Sequence, residues 1–239
     1  MPLPKIATPT YELELPSTGK SIKYRPFLVK EEKVLVIALE SEDTKQITNA
    51  IKAVLKNCVL TKGIKVETLP TFDIEFLFLN IRGKSVGEEI EVNIVCPDDG
   101  ETNVPVFIDL DSIQVEKDDD HTNQIKLDDD LMMEMKYPSL EQFIKNNFDF
   151  QEGNQMDQSF ELIATCIDKI YNEDEVWATA DCTKKEVKEF LESMNSSQFK
   201  ELENFFTTMP KLSHTIEVTN PNTKVKSEVV LEGLASFFA

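Results

Sequence analysis

The sequence predicts an α+β fold made of β-hairpins, with a helical C-terminal half. Three stretches alternate apolar and polar residues on both sides of a turn signal, which is typical of β-hairpins. Between residues 137 and 212 the apolar spacing changes to the helical period. A chain of 239 residues allows one large domain or two small ones. We expect one continuous unit because the middle and C-terminal hairpins are predicted to meet.

Residues 1–87 are predicted to hold an N-terminal hairpin followed by helices. Tyr11, Leu13 and Leu15 alternate with glutamates, and the segment 16–20 has the proline, serine and glycine of a turn. Pro70 is a helix-start signal, and the glycines at 83 and 87 are expected to end the helix that follows. The predicted elements are a hairpin over 10–29 and helices over 30–40, 43–59 and 71–82.

The other two hairpins share one pattern. Each begins with Ile-Glu-Val, at 90–92 and at 216–218, and continues through a proline-containing turn to a second apolar strand. Two hairpins of this kind can pair turn against turn, as the halves of a zinc ribbon do. The alternative is two ordinary hairpins with proline turns. We therefore predict a β-ribbon region over 88–136 and a C-terminal hairpin over 213–239 that packs back on it.

The helical region is predicted over 137–212, between these two hairpins. Thr183 and Glu186 have the spacing of a capping box, and Pro210 is expected to stop the last helix. The predicted helices cover 140–148, 156–171, 183–194 and 197–208.

The charge balance excludes two classes of partner. Aspartate and glutamate number 44 against 25 lysines and arginines, which gives a formal net charge of −19. Nucleic-acid phosphates and anionic lipids would repel such a chain. The N-terminus lacks the pattern of a signal peptide, and the four cysteines are far apart, so we expect reduced thiols in a cytoplasm.

No motif in the sequence predicts catalysis or a cofactor. No phosphate-binding glycine loop, nucleophile elbow or metal-binding histidine pair occurs. His121 lies beside the acidic run 118–120 and is expected to be solvated, as are the aspartates at 128–130. The remote alternative is a metal-dependent hydrolase, which would require His121 and both acidic runs to converge.

Six segments of the chain carry a resemblance to a known family. They are LPSTG at 15–19, YRPFLVKEE at 24–32, LPTFDIEFLFLNIRGKSVG at 69–87, YPSL at 137–140, CIDKIY at 166–171 and FFTTMPKL at 205–212. With these segments the chain resembles, over nearly its whole length, a family of phage proteins, the T-even-type baseplate hub assembly proteins.

The resemblance implies a role in baseplate hub morphogenesis of a contractile-tailed phage. Relatives often carry Cys-x-x-Cys pairs at both hairpin turns, as a zinc ribbon would. Here Cys96 is followed by Asp99, and Asn220 and Thr223 stand at the second turn. One thiolate with these oxygen and nitrogen groups is a poor tetrahedral set for zinc, so we predict no metal there.

The leading hypothesis is a non-enzymatic structural or assembly protein that binds other hub or tail-core proteins, as a homo- or hetero-oligomer. The runner-up is a transient chaperone for hub, tail or tape-measure proteins that is absent from the mature virion. Assembly would take place in the host cytoplasm, and a structural subunit would remain in the virion baseplate. Five phenylalanines are candidates for the partner surface, with burial in the core as the alternative for the helical ones: Phe72, Phe76, Phe78, Phe237 and Phe238.

Overall fold

The computed structural model describes residues 6–41, 43–140, 155–233 and 236, and the fold is α+β, as the sequence predicts. In these ranges the α-helices are α1 (Val29–Glu40), α2 (Thr44–Cys58), α3 (Thr71–Val86), α4 (Gln155–Cys166), α5 (Lys184–Glu192) and α6 (Ser196–Thr208). The strands are β1 (Tyr11–Glu14), β2 (Ser21–Tyr24), β3 (Glu89–Val95), β4 (Asn103–Asp109), β5 (Gln114–Glu116), β6 (Gln124–Lys126), β7 (Met132–Met135), β8 (Ile167–Tyr171), β9 (Val176–Ala178), β10 (Lys211–Thr219) and β11 (Lys226–Glu232).

The described strands form four small sheets. The hairpins β1–β2 and β3–β4 are each a two-stranded sheet, and β10 lies between β11 and β5 in a three-stranded one. The fourth sheet has the order β6-β7-β8-β9. All of these pairings are antiparallel.

The first hydrophobic cluster surrounds α3. Apolar residues point out of this helix in every direction, which is typical of a helix that is buried on all sides. Gly83 lies inside α3 and does not end it, contrary to the prediction. A Cβ atom at this position would lie 3.3 Å from Leu110, so the glycine permits close packing. The hairpins β1–β2, β3–β4 and β10–β11, together with α2, complete this cluster.

The second cluster lies between the four-stranded sheet and the helices α4 to α6. The helix predicted over 156–171 ends at Cys166, and the prediction is wrong for Ile167–Tyr171, which form β8. The apolar spacing continues at the helical period, but Ile167 and Ile170 are β-branched and their main chain pairs with β7. Tertiary pairing thus overrides the local pattern. Apart from Leu140, the helix predicted over 140–148 lies outside the described residues.

Aromatic rings join the two clusters. Phe72 of α3 packs edge-on against Tyr137, with ring centroids 5.1 Å apart. Tyr137 stacks on His121 and on Phe205 of α6. His121 is therefore half-buried, and the prediction that it is solvated is wrong. Burial lowers the pKa of His121, assisted by the charge of Lys117.

The hydrogen bonds of His121 fix its tautomer. The Thr208 hydroxyl donates to the carbonyl oxygen of Asn204, so it accepts a hydrogen bond from Nδ1–H of His121 at 2.9 Å. Nε2 then accepts from the Tyr137 hydroxyl at 3.0 Å. Both ring nitrogens of this histidine are thus occupied by protein groups.

None of the described helices is both long enough and apolar enough to cross a bilayer.

Candidate functional site

The turns of the β3–β4 and β10–β11 hairpins meet through hydrogen bonds between their side chains. The amide nitrogen of Asn220 donates to Asp98 at 3.0 and 3.1 Å and to Asp99 at 2.8 Å. The Thr223 hydroxyl donates to Asp98 at 2.5 Å. We name these four residues the turn-to-turn contact. It joins parts of the chain that are more than 120 positions apart.

Asn220 is the central residue of the turn-to-turn contact. Its residue surface is only 1% exposed, so both ends of its amide require partners. Its oxygen accepts hydrogen bonds from the main-chain N–H groups of Asn222 and Thr223, which shapes its own turn. Its nitrogen reaches the opposite turn, so one buried side chain stabilises both.

Hydrogen bonds from neutral donors keep the two aspartates ionised. Thr223 and then Asn220 lower the pKa of Asp98. Thr102 lowers the pKa of Asp99 through its side chain and its main-chain N–H, with a further contribution from Asn220. Burial raises the pKa of the Cys96 thiol, and the charges of Asp98 and Asp99 add to this effect. The contact thus pairs two carboxylates with a protonated thiol nearby.

These residues do not fit a structural zinc ion. Such a site takes four cysteine or histidine ligands, and Cys96 is the single sulfur or imidazole group among the four predicted positions. The amide nitrogen of Asn220 donates hydrogen bonds and therefore does not act as a ligand. Within the described ranges, no group of three or more histidines, cysteines and acidic residues is arranged to hold a metal.

The two hairpins contact each other without pairing their strands. In the described chain β3 pairs only with β4, while β10 pairs with β11 and β5. Their apolar inner faces are buried in the first cluster instead. Asp98 is a residue of this contact that the sequence did not single out. The Asp-Asp pair at the turn was the available signal, but its partners lie on the other hairpin.

The phenylalanines predicted for partner binding differ in accessibility. Phe72 is only 2% exposed, so a partner would not reach it without disturbing its packing against Tyr137. Phe76 and Phe78 are half-buried against the first cluster. Phe237 and Phe238 lie outside the described residues.

Helix α1 exposes an apolar surface that the sequence did not identify. Val36 and Ile37 lie seven and eight positions after Val29, about two helical turns, so the three residues share one side of the helix. Val29 is 80% exposed, and the other two are about half exposed. The opposite side holds Glu31, whose carboxylate accepts hydrogen bonds from Arg25 and from the N–H of Leu28. We call these three residues the α1 stripe.

The acidic runs do not converge with His121 in the described chain. The carboxylate of Asp128 accepts from the main-chain N–H groups of Asp130 and Leu131 and so shapes a turn. Asp118 makes the same kind of bond with Asp120. The nitrogens of His121 are occupied by Thr208 and Tyr137. The arrangement that a metal-dependent hydrolase would require is therefore not found among these residues.

Comparison with protein families identifies the class of protein. A family model described as T4 bacteriophage base plate protein matches residues 8–239. The chain belongs to this family of phage baseplate proteins. Membership indicates a structural or assembly role in a phage and interaction with other baseplate proteins.

Neither the curated proteins nor the solved structures gave a match to this chain.

Proposed function

We propose that the chain is a non-enzymatic protein of baseplate hub morphogenesis that acts by binding other hub or tail-core proteins. Membership of the baseplate family over residues 8–239 is the observation that carries this proposal. Three further features support it. The first is the α1 stripe, and the second is the excess of acidic over basic residues. The third is that side chains of the acidic runs and of His121 make structural hydrogen bonds.

The α1 stripe is the contact surface that we propose for a hub protein. Exposed valine and isoleucine on one helix face bury favourably against an apolar partner, at roughly 25 cal/mol per Å². With a net charge of −19, this chain favours a partner whose apolar patch has a basic rim. A second acidic copy fits less well because like charges repel. Phe76 and Phe78, half-buried on α3, are a second candidate surface.

Two measurements on the same infection test the proposal. A tagged copy of the chain is recovered from phage-infected cells, and its partners are identified by mass spectrometry. Purified virions are analysed in parallel. We expect hub or tail-core proteins in the first sample and the chain itself in the second.

The runner-up predicts a different pair of results. A transient chaperone would co-purify with hub, tail or tape-measure proteins from the lysate but would be absent from purified virions. Both hypotheses would be contradicted if no phage protein co-purified with the chain and the chain were also absent from the virions. Recovery of the chain with itself alone would argue for a homo-oligomer outside the baseplate.

A further inference from the structure

The outer edge of β3 is an open sheet edge. In the β3–β4 ladder, the N–H of Cys96 bonds to the carbonyl of Thr102, and the N–H of Leu110 bonds to that of Glu88. Since hydrogen-bonded pairs alternate along an antiparallel ladder, the even-numbered residues of β3 pair with β4. The main-chain groups of the odd-numbered residues therefore point away from β4. These residues are Glu89, Glu91, Asn93 and Val95, and no partner strand covers them in the described chain.

The outer edges of β4 and β11 carry features that discourage strand addition. Pro105 of β4 stands opposite Asn93 in a pair without ladder hydrogen bonds, so its ring replaces the N–H that this edge would offer. The β11 edge carries Lys226, which is ion-paired with Glu217 at 2.7 Å. Lysine and proline are both common protections of an edge. The β3 edge has neither, and it is seven residues long.

The charges on β3 indicate the chemistry of a partner strand. Glu89 and Glu91 are exposed on the solvent face, and neither forms an ion pair within the described residues. Phe107, which stands opposite Glu91 on β4, is 63% exposed. A strand next to β3 would place alternate side chains beside these two carboxylates, whereas Phe107 would lie one strand further away.

We propose that the β3 edge binds an extended segment of another baseplate protein, with lysine or arginine opposite Glu89 and Glu91. The added strand would convert the β3–β4 hairpin into a three-stranded sheet by main-chain pairing. This inference rests on the proposed function for the identity of the partner. A second copy of the chain is disfavoured because two β3 edges would bring four carboxylates onto one face.

The probe is a capped seven-residue peptide designed to lie antiparallel to β3. It carries threonine and valine at strand positions and lysine at the two positions opposite Glu89 and Glu91. The matched control peptide carries glutamate at those two positions. Binding to the full-length protein is measured by fluorescence anisotropy, and hydrogen exchange is followed at the amides of the odd-numbered β3 residues.

Two variants of the protein make the test specific. Asn93→Pro removes an N–H that points away from β4, so it blocks the edge without removing a ladder bond. Asn93→Thr is its matched control and retains that N–H. The double substitution Glu89→Lys with Glu91→Lys changes the charge and leaves the main chain open. Thermal melts establish that each variant is folded before binding is measured.

We expect the lysine peptide to bind about fivefold or more tightly than the glutamate peptide, since each cross-strand charge pair contributes modestly. Binding of the lysine peptide should slow hydrogen exchange at the odd-numbered β3 amides. This binding should be lost with Asn93→Pro and retained with Asn93→Thr. The double lysine variant should prefer the glutamate peptide.

Three results would overturn the inference. Equal binding of the two peptides would show that charge pairing with Glu89 and Glu91 does not contribute to binding. Unchanged binding to a folded Asn93→Pro variant would place the peptide elsewhere. A dimer of the free chain that Asn93→Pro abolishes would make a second copy the occupant of this edge. The peptide measurements use the isolated protein, so a negative peptide result would not affect the virion measurements that test the proposed function. A negative virion result would likewise leave the peptide result valid.

Discussion

The side-chain amide of Asn220 donates hydrogen bonds to the carboxylates of Asp98 and Asp99 on another hairpin, at 2.8 to 3.1 Å. These hydrogen bonds are part of a larger network, in which the Thr223 hydroxyl also donates to Asp98. Hydrogen bonds to charged acceptors are stronger than those between neutral groups. This contact therefore joins the two turns directly through their side chains.

Replacing Asn220 with alanine should destabilise the protein by about 2 kcal/mol, because both turns lose their hydrogen bonds to this buried amide. Urea unfolding measures the loss. Asn222→Ala is the matched control: its side chain donates one exposed hydrogen bond to Thr102, and we expect a loss below about 0.5 kcal/mol. Equal effects of the two substitutions would contradict the central role of Asn220.

Removal of metal ions should leave the protein folded. We expect saturating chelator to shift the melting temperature by less than about 1 °C, because the residues at the two turns do not form a zinc site. Cys96→Ser should cost about 1 kcal/mol, the scale of a buried polar substitution, and should not prevent folding. A large fall in melting temperature with chelator would show that a metal contributes to stability.

The buried carboxyl group of Asp73 should give the protein a distinctive pH dependence. Burial raises the pKa of Asp73, although the hydroxyl and N–H of Ser17 donate to it and lower the pKa in part. Because the folded pKa lies above the unfolded value of about 3.9, the folded state binds more protons. This residue's contribution to stability is therefore greatest at low pH and falls as the pH rises through the folded pKa.

Asp73→Asn removes this titration and retains an oxygen for the N–H of Ser17. We expect the stability difference between Asp73→Asn and the unaltered protein to grow in favour of the variant from about pH 4 upward. Urea midpoints at several pH values provide the measurement. A difference that does not change with pH would show that Asp73 titrates as it does in the unfolded chain.

The α1 stripe should affect partner binding more than stability. Val36→Lys and Ile37→Lys place charges on an exposed surface, so we expect each to change the free energy of unfolding by less than about 0.5 kcal/mol. Recovery of hub proteins from infected cells should fall several-fold. Asn49→Lys places the same charge at an exposed position of α2, outside the stripe; it is the control and should retain the partners. Normal recovery with both lysine variants would place the interface elsewhere.

Local sequence patterns were sufficient for the hairpins and for most helices. Alternation and turn residues predicted β1–β2, β3–β4 and β10–β11, and the helical period predicted α1 to α3. The capping box at Thr183 is present, with Glu186 as its partner. These elements are specified by residues that are neighbours in the chain, which is why their pattern is visible in the sequence.

Features that depend on distant partners were not visible. Strand β8 was predicted as helix because its pairing with β7 decides the outcome. The hydrogen bonds of His121 involve Tyr137 and Thr208, which lie 16 and 87 positions away. The turn-to-turn contact was expected from the repeated hairpin pattern, but the role of Asp98 follows only from the geometry. The α1 stripe was missed because an apolar helix gives no sign of which side remains exposed.

We propose above that the chain acts in assembly of the baseplate hub. Its most direct test is an infection by a phage whose copy of this chain carries an early stop codon, with the baseplates examined by electron microscopy. We expect incomplete baseplates without a central hub, and restoration of complete baseplates when the unaltered chain is supplied from a plasmid. Complete baseplates and infectious particles in the absence of the chain would contradict it.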